Sequence, residues 1–162
     1  MDNEAFDRLV DLLDDTMFVV TTQADGEPSG CLVGFATQAS IHPQRFLAAI
    51  SKSNHTCRIA AESEFLAVHV MQRRHVDVAR LFGGETGDEV DKFERCSWHT
   101  GPEGMPVLDD APAWFVGRTL ERIELGDHVG YLLEPVAGAV GDDSDDLVSS
   151  RDVAGLTPGH EA

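Results

Sequence analysis

Two pairs of β-rich runs, each joined by a turn too tight to hold a helix, constrain this chain more than any other feature. Met17-Phe18-Val19-Val20-Thr21-Thr22 is closed by Ala24-Asp25-Gly26-Glu27-Pro28, and a returning run extends over 29–37. Asp-Gly between two such runs is a hairpin signal. Residues 113–125 and 128–140 form the second pair, turning at Leu125-Gly126-Asp127. Phe46-Leu47-Ala48-Ala49-Ile50 and 65–71 read as further strands. Helical patterns are short. Phe6, Leu9, Val10 and Leu13 share one face, 57–62 follows the capping residues Ser53-Asn54-His55-Thr56, and 76–82 ends at Gly83-Gly84. Parallel βαβ repeats are absent and no GxGxxG occurs, which argues against a doubly wound dinucleotide-binding sheet. The pattern predicts a small antiparallel barrel with helices on its outside. The Gly- and acid-rich stretch 83–104 reads as a long functional loop, and 141–146 as an acidic spacer. The domain is therefore predicted over 1–140, with an acidic tail over 141–162.

Charge narrows the partners. Twelve Lys and Arg stand against 29 Asp and Glu, a net charge of −17 over 162 residues. A duplex nucleic-acid binder needs a basic face, and docking on anionic lipid needs the same, so neither partner is expected. Acids crowd both ends: residues 1–15 and 141–162 each carry −5. The middle carries −7 and holds ten of the twelve basic residues, which leaves room there for an anionic ligand. No apolar run is long enough to span a bilayer, and the acidic start does not resemble a signal peptide, so a cytoplasmic protein is expected. Three widely spaced cysteines, Cys31, Cys57 and Cys96, fit a reducing compartment better than a disulfide framework.

Three constellations could carry chemistry. Ser51-Lys52-Ser53-Asn54-His55-Thr56 lies between a strand and a helix start, where hydroxyls, free N–H groups and a lysine could seat a phosphate. An ordinary helix cap with a solvated lysine explains the same residues. Asp91-Lys92-Phe93 could set a cation and a ring beside a flat ligand, or be a loop anchored by one Phe. Gly126-Asp127-His128 could display an imidazole oriented by a carboxylate, or be a plain hairpin turn with a surface His. Metal chemistry has little support: Cys96-x-x-His99 is half a ligand set, and no HExxH occurs.

In order along the chain, Thr21-Thr22, Asp25-Gly26, Gly30, Ser40-Ile41-His42-Pro43, Ser53-x-x-Thr56, Asp91-Lys92-Phe93, Pro106-Val107-Leu108 and Gly126-Asp127-His128 resemble the flavin reductase-like family of FMN-binding split barrels. The likeness covers about residues 15–140. It implies a mainly β fold, a six-stranded antiparallel Greek-key barrel with short peripheral helices, assembled as a homodimer with flavin near the subunit interface. It implies FMN as cofactor, with FAD open, NADH or NADPH as hydride donor, and a monooxygenase component as a partner for reduced flavin. Carried over by position, Gly34, Phe35, Ala36 and Thr37 would run along the isoalloxazine. Ser51, Lys52, Ser53, Asn54 and Thr56 would hold the ribityl chain and phosphate. Lys92 and Phe93 would close over the ring, and catalytic His128 would face the nicotinamide. One departure stands out: where many members read Thr-x-Ser-Ser, this chain has Leu32-Val33-Gly34-Phe35, so two hydroxyl donors that the resemblance implies near the flavin are missing. Two other readings share the barrel: a non-catalytic flavin or haem binder acting as carrier or sensor, and a reductase using a deazaflavin.

Overall fold

In the computed structural model, which describes residues 3–84 and 91–156, the two expected hairpins dominate. Strands β1 (Phe18–Ala24) and β2 (Glu27–Val33) pair antiparallel from Phe18↔Val33 to Ala24↔Glu27. Asp25 and Gly26 between them take φ of 51° and 79°. Two successive positive-φ residues give the turn whose twist matches the flanking strands, which is why Asp-Gly stands there. Strands β3 (Ala36–Ser40), β4 (Arg45–Ser51) and β5 (Phe65–Val70) follow, then β6 (Trp98–Thr100) and β7 (Pro106–Leu108). The long pair β8 (Ala113–Glu124) and β9 (His128–Val140) completes the set. Helices α1 (Glu4–Asp11), α2 (His55–Ala61) and α3 (Val76–Gly84) are peripheral.

The main sheet has seven strands in the order β2-β1-β5-β8-β9-β4-β3, where six were expected. The difference arises at Gly34-Phe35. Sequence reading runs one strand through 29–37, whereas the chain turns a corner there and leaves β2 to start β3. Those two strands are opposite edges of the sheet. Laid flat, seven strands at about 4.8 Å spacing would separate the edges by about 29 Å. Val33 and Ala36 are only three Cα steps apart, about 11 Å at most. The sheet must therefore roll until its edges meet. Its interior is one apolar cluster: Val20, Val33, Ile50, Leu66, Val68, Tyr131 and Leu133, with Ala36 and Phe115 packed against it. A side chain such as Leu66 or Leu133, fully shielded there, contributes about 1.5–3 kcal/mol.

A second apolar cluster lies outside the barrel, where Val78, Ala79 and Phe82 of α3 meet Val19, Met71, Phe93, Leu108 and Val148. Two buried polar side chains tie it to the sheet. His69 Nδ1 donates to the Val19 carbonyl (2.9 Å), and its Nε2 accepts from the Leu108 amide (3.1 Å). That arrangement fixes a neutral imidazole, and burial pushes its pKa down to about 4. Lys92 is 3% exposed and donates from Nζ to the Gly30 and Phe82 carbonyls, each at 3.0 Å.

The expected loop 83–104 contains the β6–β7 hairpin strand β6 and two short 3-10 turns, and its residues 85–90 lie outside those described. The expected tail needs correction. Val148 is buried in the second cluster, its N–H donates to the Met71 carbonyl, and Arg73 holds both Asp146 and Asp152. The chain is thus folded onto the body through the described part of 141–156. The remainder, 157–162, lies outside the described residues. No described helix is long and apolar enough to cross a membrane.

Candidate functional site

Antiparallel register decides what shares a face with what. Ser51 pairs with His128 across β4 and β9. On the other side of β4, Ala36 pairs with Ala48, and one step earlier the Ala49 amide donates to the Phe35 carbonyl at 2.9 Å. Paired residues point the same way, and so do residues two apart along a strand. Phe35, Ala49, Ser51 and His128 therefore lie on one face, while Ala48 and Ile50 point into the barrel. Ala49 and Ser51 are small, so the flanking rings lean together above them: Phe35 and His128 centroids are 4.9 Å apart and tilted by 51°.

Those four residues line a cleft of about 420 Å³, within the range of small-molecule sites. One wall is apolar, made by Met17, Leu32, Val33 and Gly34. A Cβ at Gly34 would lie 3.2 Å from Met17 Sδ, so glycine there keeps the corner close to its neighbour. The other wall comes from the chain ends: Val10, Leu13 and Asp15 on one side, Ser150, Val153 and Leu156 on the other. Hydrogen bonds hold these ends together, with the Ser150 amide donating to the Asp15 carbonyl and the Arg151 amide to Asp14 Oδ1.

At one end of the cleft the lining turns polar. Ser51 and Asn54 both face it. Asn54 caps α2, its Oδ1 accepting from the Thr56 amide at 2.9 Å. Ser51 Oγ lies 3.1 Å from Ser53 Oγ. Lys52 is adjacent, with its ammonium on Glu124. Asp127 accepts from His128 Nδ1 at 2.7 Å, which holds the Asp127 carboxyl below its ordinary value. A carboxylate can only accept, so Nδ1 carries the proton. Apolar walls, a small-residue floor and a polar end suit a flat ring carrying an anionic chain.

The structure thus brings Gly34, Phe35, Ser51, Asn54 and His128 together. Lys52 and Ser53 are exposed and are not among the residues that line the cleft. Ala36 turns into the barrel wall and Thr37 is exposed along β3. Thr56 is buried and hydrogen-bonded to Ser29 (2.8 Å), so its hydroxyl serves the fold. Lys92 and Phe93, expected over the ring, are buried instead in the outer cluster. Two main-chain carbonyls hold the Lys92 ammonium, and Phe82 and Trp98 hold the Phe93 ring. Sequence reasoning missed the cleft walls supplied by the chain ends. The signal available was the apolar stripe Phe6, Leu9, Val10 and Leu13, which runs from α1 to just past its end. Among the described residues no group of three or more His, Cys, Asp or Glu could hold a metal.

Residues 12–155 match the family described as the flavin reductase like domain. The chain is 27% identical over 110 residues to FMN reductase (NADH) RutF of Bradyrhizobium diazoefficiens, covering 68% of this chain and 61% of that protein. It is 27% identical to the 4-hydroxyphenylacetate 3-monooxygenase reductase component of Pseudomonas aeruginosa, covering 81% of this chain and 78% of the other. Among solved structures, a flavin reductase domain protein from Arthrobacter sp. superposes with a TM-score of 0.80 at 21% identity, over 91% of this chain and 95% of that one. That last likeness concerns the fold. The chain spans about half the length of several curated relatives it matches, from 61% down to 34%.

Proposed function

Because the chain belongs to the flavin reductase like domain family, we propose that it is an NAD(P)H-dependent flavin reductase. It moves a hydride from NADH or NADPH to FMN, with FAD as the larger alternative. It works as a homodimer and supplies reduced flavin to a monooxygenase component, a partner suggested by the name of the Pseudomonas relative. The observation that carries this reading is the cleft itself, where an apolar ring-sized wall, the polar end at Ser51 and Asn54, and His128 meet within one site.

Bound flavin supplies the redox chemistry, as the acceptor of the hydride. The chain's own residues bind and orient. Met17, Leu32 and Ala49 offer apolar surface to the ring and keep water from it. Ser51, Asn54 and Lys52 meet the anionic chain, the lysine by exchanging Glu124 for phosphate. His128, held by Asp127 at Nδ1, turns Nε2 toward the donor's amide or phosphate. Hydride transfer needs no proton from the imidazole, so His128 positions the donor.

The test is the visible spectrum of the purified protein with FMN, recorded anaerobically before and after NADH or NADPH. Bleaching of protein-bound flavin is expected. Flavin that binds and is not bleached favours a carrier or sensor, and failure to bind flavin overturns the reading.

A further inference from the structure

We propose that residues 150–156 form a strap along the cleft that sets how fast flavin enters and leaves it, latched by Arg73 on Asp152 and seated by Leu156 on Gly83. The inference rests on the flavin reductase reading above and adds an exchange step to it.

Attachment is graded along this stretch. Its root is fixed: Val148 is 1% exposed, its N–H donates to the Met71 carbonyl, and its own carbonyl accepts from the Met17 amide. Beyond Val148 the holds move to the surface. The Ser150 amide donates to the Asp15 carbonyl (2.8 Å), and Asp14 Oδ1 accepts from the Ser150 hydroxyl and the Arg151 amide, each at 3.1 Å. Arg73, just before α3, brings Nε within 3.0 Å of Asp152 Oδ2, and Arg80 within α3 donates to the Asp152 carbonyl at 3.2 Å. The stretch is thus tied to the N-terminal segment and to α3 at once. Exposed ties of this kind are weak. They release well before the core does, so this stretch opens locally while Val148 stays docked.

Its inner side belongs to the site. Ser150, Val153 and Leu156 line the same cleft as Leu32 and Ala49. Leu156 and Leu32 both press on Gly83 near the end of α3, where a Cβ would lie 2.7 Å from the Cδ2 of each. Glycine weakens a helix relative to alanine, and here its bare backbone lets Leu156 dock against the cleft wall. A ring lying on Leu32 and Ala49 is therefore enclosed by side chains rooted firmly at one point and held lightly elsewhere. When a ligand passes only while the strap is off, association and dissociation both scale with the fraction of time it is off. Loosening the latch then speeds both and leaves affinity near its parent value. A fixed wall behaves otherwise, because removing one of its contacts speeds dissociation alone.

Stopped-flow quenching of FMN fluorescence reads the two rates separately. Arg73→Gln removes the latch, and since Arg73 does not line the cleft, no contact with the ligand goes with it. Leu156→Ala removes the seat. Each variant is expected to raise the FMN association rate constant about threefold. Arg73→Gln should raise dissociation equally and keep the FMN Kd within about twofold of the parent. Leu156→Ala should raise dissociation further, because it also takes apolar surface from the site. Asp14→Asn, which frees the stretch from the N-terminal segment, supplies the same reading in place of a variant that does not fold. An association rate constant unchanged from the parent in any folded variant, with the parent binding FMN, overturns this inference alone and makes 150–156 a fixed wall. A parent protein that binds no FMN overturns the flavin reductase reading and this inference with it.

Discussion

The Lys52 ammonium lies 2.5 Å from Glu124 Oε2, so the cation expected to meet a phosphate already has a carboxylate on it. The two residues come from different elements, one preceding α2 and the other ending β8. A phosphate that takes Lys52 must displace Glu124, and exposed pairs of this kind are worth about 0.2–1 kcal/mol.

Glu124→Gln should therefore tighten FMN binding by about threefold and leave riboflavin unchanged. Lys52→Ala should shrink the preference for FMN over riboflavin by about tenfold. Fluorescence quenching of the two flavins measures both. Equal affinity of the parent protein for FMN and riboflavin would place the phosphate away from Lys52.

Loss of donor positioning by His128 should be visible in kinetics and not in flavin affinity. His128→Ala is expected to lower kcat/KM for NAD(P)H by about ten- to a hundredfold, or about 1.4–2.7 kcal/mol, with the FMN Kd unchanged. Asp127→Asn, which weakens the grip on Nδ1, should fall between the two. Normal turnover in His128→Ala would make the histidine an ordinary turn residue.

His69 gives a pH signature to stability. Its folded pKa is about 4 against an ordinary 6.5, so between those values the unfolded chain binds a proton that the folded chain does not. Stability is thus fully present above pH 6.5 and falls as pH drops from 6.5 toward 4, by about 3 kcal/mol at most. Urea unfolding at pH 7 and pH 4.5 should show the drop in the parent and a smaller one in His69→Gln. That variant should also lose about 1–3 kcal/mol at pH 7, because the Val19 carbonyl and Leu108 amide lose their shared partner. Parallel pH profiles for parent and variant would remove His69 from the account.

The proposed homodimer predicts a solution mass near twice 17.6 kDa. Helix α1 and the two residues after it support it: Phe6, Leu9, Leu12 and Leu13 are all at least half exposed, and an eight-residue helix is too short to persist on its own. Light scattering on the flavin-loaded protein reads the mass. A monomer that binds FMN with full affinity would remove the second copy from the site.

Features written into neighbouring residues could be read without coordinates. Asp25-Gly26 and Gly126-Asp127 announced their hairpins because a tight turn is a local event, and Asn54 announced α2 because a cap bonds two residues away. The corner at Gly34-Phe35 was invisible, since apolar residues continue on both sides and only the closing of the sheet demands a bend. Lys92 misled for a related reason. A lysine in a polar stretch reads as solvated, yet its partners are the carbonyls of Gly30 and Phe82, 62 and 10 residues away. The cleft divides along the same line: Ser51, Asn54 and His128 sit in recognisable turns and caps, whereas the walls from residues 10–15 and 150–156 meet only after both chain ends have docked.

The corner between β2 and β3 has one more consequence. Every other neighbouring pair of strands in the barrel is joined by a hydrogen-bonded ladder, whereas β2 and β3 terminate the order and share only the two-residue turn between them. The cleft spans this seam, with Leu32 and Val33 on one side and Ser51 and His128 on the other. A molecule lodged there acts as a hoop on a cask whose staves are otherwise glued along every join but one. Its arrival should slow amide exchange along β2 and β3 more than in the distant β5–β8 ladder, because it restrains the opening that costs the barrel least.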